Sequence, residues 1–424
     1  MNISAGAAVA VNEQSAHTPL GAPVLPAKQS SEKKMRGGVV WEPELTEAEG
    51  HWHALAAQLS AAHFEPLAAA IDRDQRYPEE SVLQLRESGI ATMLLPLAHG
   101  GGGASLVGYC AVVEEIAQSC ASTSGIVATL QLGAAPLLLM RDESLKAQLL
   151  RGLVERGEAV SFALSERGAG SDPASMSTLA YRENDGWRIC GQKCWIGGGG
   201  AAHWYVVFAQ TAPGTGKRGI AAFLVSAKEA GVDDTRLEDK MGMRGTRTST
   251  IELDTWVAQG HMLAAPGEGL RMAFGSLDVG RVGVAAQACG MALAAYRLAV
   301  GYAVQRRTFG ELLIDHQALG FKLADLASRL SAARLMTYEA ARVYDAGKDV
   351  SVLAAQAKLI ASETSQYVID AALQIFGGAG YVKPNPIERL YRDQRVTQIY
   401  EGTSEIQRLL IARAIRAQAT GDAV

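Results

Sequence analysis

Aromatic residues are scarce, at 6% of the chain, and cysteine is scarcer. Cys110, Cys120, Cys190, Cys194 and Cys289 are scattered over 424 residues and odd in number. That usage argues against a disulfide framework, and a reducing, cytoplasmic compartment is the expectation. Cys190 and Cys194 fall in a strand-and-turn pattern with no histidine or second cysteine pair beside them, so no metal site is expected. An excess of charge is also lacking. The net charge of −4 gives no reason to expect nucleic acid or an anionic membrane as a partner. Even in the most membrane-like stretch, the longest uninterrupted apolar part is too short to span a bilayer. That stretch, Val282 to Val304, contains Gln287 and Arg297 and is flanked by Arg281 and by Arg306-Arg307. It reads as a buried core helix. There is no internal repeat, and the glycine cluster His99 to Gly103 lacks the G-x-G-x-x-G spacing of a dinucleotide-binding turn.

What remains is a globular composition, 48% apolar and 20% charged, long enough for two or three domains. Abundant Ala and Gly favour closely packed helices over a β-sandwich. Residues 1–44 are rich in Ala, Gly, Ser and Pro without periodicity and are expected to form a mobile tail. Its first basic residue is Lys28, a poor match to a cationic transit or signal peptide.

Three regimes follow. Residues 45–157 carry helical patterns: Ser81 to Leu85, opening on a cap after Pro78, then Tyr109 to Ser119 and Glu143 to Arg156. Residues 158–265 read as strands. His203 to Thr211 and Gly219 to Ser226 are continuous apolar runs, whereas Ile251, Leu253, Thr255 and Val257 alternate with polar neighbours. Residues 266–424 return to helices. Leu319, Leu323, Leu326 and Leu330 step along one face, as do Ile406, Leu409, Leu410 and Ile415. The order is α domain, β domain, α bundle.

Five motifs carry chemistry. Phe162 to Asp172 is a glycine-flanked loop after a strand, suited to the polar edge of a heterocycle or a phosphate. A plain tight turn would read the same way. Gly191 to Gly197 places Trp195 where an indole could wall a ring system, or simply fill a core. Arg306-Arg307-Thr308-Phe309 with His316-Gln317 suits a pyrophosphate and a stacked base, or a solvated helix end. Gln374 to Tyr381 ends a helix in glycines that either admit a ligand or only cap it. Tyr400-Glu401-Gly402-Thr403 precedes Ser404 to Gln407, whose spacing is that of a capping box. Glu401 is thus set just outside a helix N-terminus, which is also how an ordinary helix starts.

Together and in this order, over about residues 50 to 416, the motifs resemble the acyl-CoA dehydrogenase family of FAD-dependent enzymes. The resemblance implies an N-terminal helical domain, a middle β-barrel-like domain and a C-terminal four-helix bundle. It implies a homotetramer, a dimer of dimers, in which the adenosine end of FAD reaches a neighbouring subunit. Phe162, Leu164, Ser165, Ser171, Trp195 and Gly197 would line the flavin. Arg306, Phe309, Gln317, Gln374, Gly377 and Gly378 would hold the adenosine diphosphate part of the partner's FAD. Thr403 and Glu405 would return to the flavin of their own subunit, and Ser171, Asp278, Arg281 and Gly402 match positions that contact the thioester.

By the same resemblance, Glu401 removes the α proton of an acyl-CoA while the β hydride passes to flavin N5, giving the 2-enoyl thioester. An electron-transfer flavoprotein would accept the electrons, in fatty acid or amino acid catabolism. Burial should raise the Glu401 pKa and the helix N-terminus should oppose that rise. Some family members carry the base before the arginine equivalent to Arg281, and Gly280 there has no side chain to act. Two positions depart from the family pattern. Gly197 stands where Thr or Ser usually offers a hydroxyl to flavin N5, and Arg167 stands where Pro is usual. The Gly197 change leaves open an oxidase using O2, and with the tail it leaves open an acyl group tethered to a carrier protein. A non-catalytic thioester-binding scaffold is the remaining alternative, and Glu401 argues against it.

Overall fold

The computed structural model describes residues 39–421. Most of the expected tail therefore lies outside the described residues, and the rest of it, 39–44, contains no helix or strand. The N-terminal region is helical: α1 (Glu47–Leu59), α2 (Ala68–Asp74), α3 (Glu79–Glu87), α4 (Leu106–Ser119), α5 (Ala121–Leu138) and α6 (Glu143–Glu155). Thr46 opens α1 with a reciprocal capping box to Glu49. Helix α3 starts two residues before the expected cap. Pro78 sits at its N-cap without a side-chain bond, and Ser81 is buried inside the first turn. Proline tolerates that end because its missing N–H would be unsatisfied there anyway.

Eight strands follow: β1 (Val160–Ala163), β2 (Leu179–Glu183), β3 (Gly186–Gly197), β4 (Trp204–Gln210), β5 (Ile220–Ser226), β6 (Val232–Leu237), β7 (Thr248–Ala258) and β8 (Met262–Ala264). They form one mostly antiparallel sheet in the order β6-β7-β3-β2-β4-β5-β8, with β1 parallel to β4. The sheet curls on itself. Trp187 of β3 packs on Phe223 of β5 at 5.4 Å between ring centroids, although these strands are not neighbours. This is the barrel-like middle domain that the resemblance implied.

The curl explains the two kinds of strand pattern. Tyr205, Val207, Phe223 and Val225 point into the barrel core. Val206, Phe208, Ala222 and Leu224, on the opposite face of the same strands, pack with Ala134 of α5, Leu150 of α6 and Met272. Strands β4 and β5 are therefore buried on both faces and read as continuous apolar runs. In β7 only one face is covered: Ile251, Leu253 and Val257 are buried while Glu252 and Asp254 face out.

The C-terminal region is built on α7 (Gly269–Ala303), followed by a small hairpin of β9 (Arg307–Thr308) and β10 (Glu311–Leu312). Helices α8 (Gln317–Asp345), α9 (Ser351–Phe376), α10 (Gly378–Tyr381), α11 (Pro386–Gln394) and α12 (Ser404–Thr420) complete it. The long members α7, α8, α9 and α12 form the four-helix bundle. Helices α5 and α7 are long and apolar enough to cross a membrane, but both are mostly buried inside the fold. The expected apolar face of α12 is not covered, since Leu409 and Ile415 are exposed.

Helix α4 crosses α7 closely at Gly290, where an added Cβ would run into the Glu114 carbonyl and lie 2.8 Å from the Ala117 Cβ. Gly290→Ala should therefore cost about 1–3 kcal/mol by overpacking. A lowered thermal midpoint checks this; an unchanged one would show that the crossing can open freely.

Candidate active site

The chain must reverse sharply between the 3-10 turn Arg395–Gln398 and α12. It does so through two consecutive left-handed residues, Glu401 at φ 52° and Gly402 at φ 89°. Glycine adopts this freely, whereas for Glu401 it is strain of about 1–3 kcal/mol. Bonds from several directions hold the turn. Gln407 Nε2 donates to the carbonyls of Glu401 (3.1 Å) and Gly402 (2.9 Å). Lys358 Nζ reaches from α9 to the Gly402 carbonyl at 2.7 Å. The Tyr400 hydroxyl donates to Gln287 Oε1 on α7, and Gln287 Nε2 donates in turn to the Ala121 carbonyl at the start of α5 (3.2 Å). The cap of α12 is Thr403, whose hydroxyl accepts from the Ile406 N–H. The expected capping box from Ser404 to Gln407 is therefore not formed, because Gln407 is spent on the turn.

Glu401 as a whole is half-buried, and its Oε2 is enclosed without a hydrogen-bond partner. It occupies the space above Gly280, where any Cβ would overlap it. Gly280 therefore does more than lack a rival base: it makes the room. One turn along, Gly283 does the same for the Tyr109 hydroxyl from α4. Burial pushes the Glu401 pKa up to about 7, while the charges of Arg281 and Lys358 pull it down. Burial wins, and the opposing charges come from α7 and α9 side chains. Burial also pushes Lys358 down to about 8, with Glu401 opposing. Arg281 Nη1 pairs with Asp278 at 2.6 Å, and Asp278 accepts the Ser351 hydroxyl at 2.9 Å. Arg281 Nε is buried without a partner. Asp278, Arg281 and Gly402 thus gather with Glu401. Ser171 is exposed in the loop after β1.

On the β side a buried carboxylate organises the other half. Glu166 accepts from the N–H and hydroxyl of Ser177 (2.6 Å each), from those of Thr178 (3.0 and 2.5 Å), and from Lys193 Nζ (2.9 Å). Burial alone would raise its pKa, but Lys193 and the two hydroxyls outweigh burial and take it down to about 2. Lys193 also donates to the Leu164 carbonyl (3.1 Å), and the Cys194 N–H donates to the Ser165 carbonyl (2.9 Å). These bonds bring Leu164, Ser165 and Trp195 onto one platform. A bulge between Lys193 and Ile196 turns Trp195 to φ 58° and leaves its side chain half exposed. Phe162 lies beneath, packed on Phe208 at 4.9 Å. Arg167 points to solvent.

Helix α5 joins the two halves. A Cβ on Gly125 would lie 3.4 Å from Gln287 Nε2, beside the Tyr400 anchor. One turn on, Thr129 Oγ1 is 3.3 Å from where a Gly197 Cβ would stand. A half-exposed planar indole, and a glycine where Thr129 leaves little room for a side chain, fit a flat cofactor ring such as a flavin.

The other expected cofactor residues lie elsewhere. Tyr302 of α7 stacks on Phe376 of α9 at 4.4 Å, so both helices end on the same side of the bundle. Arg306, Phe309, Gln317, Gln374, Gly377 and Gly378 cluster around those ends and are all exposed, Phe309 at 99%. From Gly280 to Ala303, α7 rises roughly 35 Å at 1.5 Å per residue. This chain therefore does not bring that set together with Glu401. Thr403 and Glu405 remain beside the Glu401 turn.

A helical, barrel-like and helical succession around an enclosed, unpartnered carboxyl oxygen is the architecture of a thioester-oxidising flavoenzyme. The chain belongs to the acyl-CoA dehydrogenase family and is an oxidoreductase. It matches the family's N-terminal domain over residues 46–157, its middle domain over 161–256 and its C-terminal domain over 267–416. It is 40% identical over 374 residues to a probable acyl-CoA dehydrogenase, FadE25, of Mycobacterium tuberculosis, covering 88% of this chain and 96% of that one. It is 41% identical over 351 residues to the mitochondrial short-chain specific acyl-CoA dehydrogenase of Bos taurus, covering 82% and 85%. The butyryl-CoA dehydrogenase structure from Megasphaera elsdenii superposes with a TM-score of 0.86 at 36% identity, covering 89% of this chain and all of that one. Membership implies FAD as the cofactor.

Sequence reasoning missed Lys358, Tyr109, Gln287 and Thr129, and quoted Glu166 and Lys193 without giving them a task. A lone lysine within Ala354 to Ala361 was the available signal for Lys358.

Lys193 is wholly buried and Glu166 nearly so. Lys193→Met should thus cost about 3–5 kcal/mol by stranding a buried carboxylate. The double variant with Glu166→Leu should recover part of that loss in a denaturation curve. Equal loss in both variants would show that the pair is not the cause.

Proposed function

We propose that the chain oxidises an acyl-CoA at its α and β carbons to the 2-enoyl thioester, with Glu401 as the base. The observation that carries this is the Glu401 carboxyl itself: enclosed and unbonded at Oε2, set over Gly280 and poised at about 7. A general base works best with a pKa near the operating pH, and a free oxygen is what a proton must reach. Arg281 and Lys358 keep part of the group ionised at neutral pH. Positioned donors toward a thioester oxygen, among them the Glu401 N–H, would each contribute about 2.7–4 kcal/mol. Leu164, Ser165, Trp195, Thr403 and Glu405 would hold the flavin end of FAD, which when bound supplies the acceptor for the β hydride.

The names of two relatives, short-chain specific and butyryl-CoA dehydrogenase, favour a short acyl group as substrate. The separation along α7 supports a homotetramer in which Arg306, Phe309, Gln317, Gln374, Gly377 and Gly378 hold the adenosine end of a partner's FAD. An electron-transfer flavoprotein is the proposed acceptor, in a cytoplasmic setting. Gly197 favours a second reading, an oxidase, because it removes a side chain from the wall beside the flavin. Anaerobic turnover with dye or electron-transfer flavoprotein, without peroxide in air, would reject it. Activity on CoA and not on carrier-bound thioesters would reject the carrier-protein substrate.

Glu401→Gln should keep the yellow flavin spectrum and lose about 10²–10⁴-fold in turnover of a short-chain acyl-CoA. Full activity in that variant would remove Glu401 as the base. In the parent enzyme kcat/KM should climb about tenfold per pH unit below pH 7 and level off above it, since only the ionised carboxyl accepts a proton. Initial rates across pH check the limb.

A further inference from the structure

We infer that Lys358 is a positioning residue for Glu401, holding the Gly402 carbonyl and keeping a positive charge near the base. The inference rests on the reading of Glu401 as the base and extends it to a helix that carries none of the residues assigned to substrate.

Lys358 sits in α9 among the buried Ala354, Ala355, Ala361 and Ser362, and is itself wholly buried. A lysine there is expensive unless a specific partner repays the desolvation. Its hydrogen bond goes to a neutral carbonyl, Gly402, at 2.7 Å. A methionine of similar volume would fill the same space without desolvating a charge, so packing alone does not account for it. Two features of the turn do. Gly402 follows the strained Glu401, and Lys358 is the donor that ties the Gly402 carbonyl to α9, whereas Gln407 binds the carbonyls of both residues from within α12. The second feature is electrostatic.

The charged and titratable groups facing Glu401 come from four elements: Arg281 on α7, Lys358 on α9, Tyr109 on α4 and Tyr400 on the turn itself. Arg281 is already paired with Asp278 at 2.6 Å. Lys358, bonded to a carbonyl, keeps its charge uncompensated at bonding distance, although Glu363 and Glu405 act on it from farther away. Both charges act on Glu401, Arg281 the more strongly, and Lys358 adds a second one that no carboxylate at bonding distance offsets. The consequence has a definite sign. Removing the charge must raise the Glu401 pKa further above its ordinary value and leave less carboxylate at neutral pH.

The test uses the FAD-loaded enzyme as parent, Lys358→Met and Lys358→Gln. The protonated-carboxyl infrared band, taken as a difference against Glu401→Gln, is titrated across pH without turnover. Lys358→Met should move its midpoint up by about one unit, which at pH 7 means about fivefold less carboxylate. The acidic limb of kcat/KM should move with it, and the rate should recover at higher pH. Lys358→Gln keeps a donor for Gly402 but no charge. It should show the same shift with a higher plateau, and it carries the test alone if Lys358→Met does not fold. An unmoved midpoint in the folded variants, whatever their rates, would overturn the inference and leave Lys358 a structural residue. Were Glu401→Gln to stay active, the base assignment would fall, yet the infrared midpoint would still report whether Lys358 acts on that carboxyl.

Discussion

A carboxylate oxygen shut off from water and left without a bond is the constraint on which this structure turns. Most proteins avoid such a group, since a buried polar atom without a partner costs about 1–3 kcal/mol. Here several elements spend their side chains maintaining it. Gly280 removes the atom that would displace it. Gln287, Lys358 and Gln407 fix the backbone that carries it and leave Oε2 without a partner. The left-handed Glu401 is a further cost of aiming that side chain. Strain and an unsatisfied atom coinciding on one residue are the pattern of a functional centre, because a merely structural glutamate would have relaxed.

The molecule contains a control for this argument. Glu166 is buried and Glu401 has its Oε2 enclosed, and each has a buried lysine nearby. Lys193 bonds directly to Glu166, and four donors from Ser177 and Thr178 complete its shell, so that carboxylate is locked in its charged form. Lys358 stops at the Gly402 carbonyl instead, and Glu401 is left close to neutrality in its titration. The same two residue types thus give opposite shifts. The difference is a few ångströms of placement and the number of donors. One carboxylate is built to hold a loop still, and the other is left with the free oxygen that the proposed base needs.

The fold was legible because its signals are local. Buried-both-faces strands β4 and β5 announced themselves as apolar runs, and β7 as alternation. The order of the regimes and the core character of α7 followed from the same patterns. Errors came where one residue had two possible partners. Ser81 and Ser404 have the chemistry of caps, but the first is buried one turn inside α3 and the second yields the cap to Thr403. Leu409 and Ile415 kept a helical period and still face outward, because periodicity tells that a face is apolar and not what covers it. In the site, Glu401 and its glycine were readable from the motif. Lys358, Gln287 and Tyr109 were not, since each reaches the turn through tertiary contact from a helix whose local pattern only says core.

The geometry of α7 carries the last step. One end of this helix shapes the pocket for Glu401 through Gly280 and Gly283, and the other ends at an arginine pair and a fully exposed phenylalanine. An aromatic side chain held at φ 54° on a two-strand hairpin, 99% exposed and touched only edge-on by His316, adds little to the stability of its own chain. It makes sense as a surface offered to something else. The turn after α9 offers Gln374, Gly377 and Gly378 on the same side. A rigid helix cannot bring its two ends to one ligand, so the residues at the far end can serve a cofactor only if it enters from another copy. In the proposed homotetramer a second subunit would then be part of the catalytic unit, and the exposed face of α12 is a surface for such an assembly to cover.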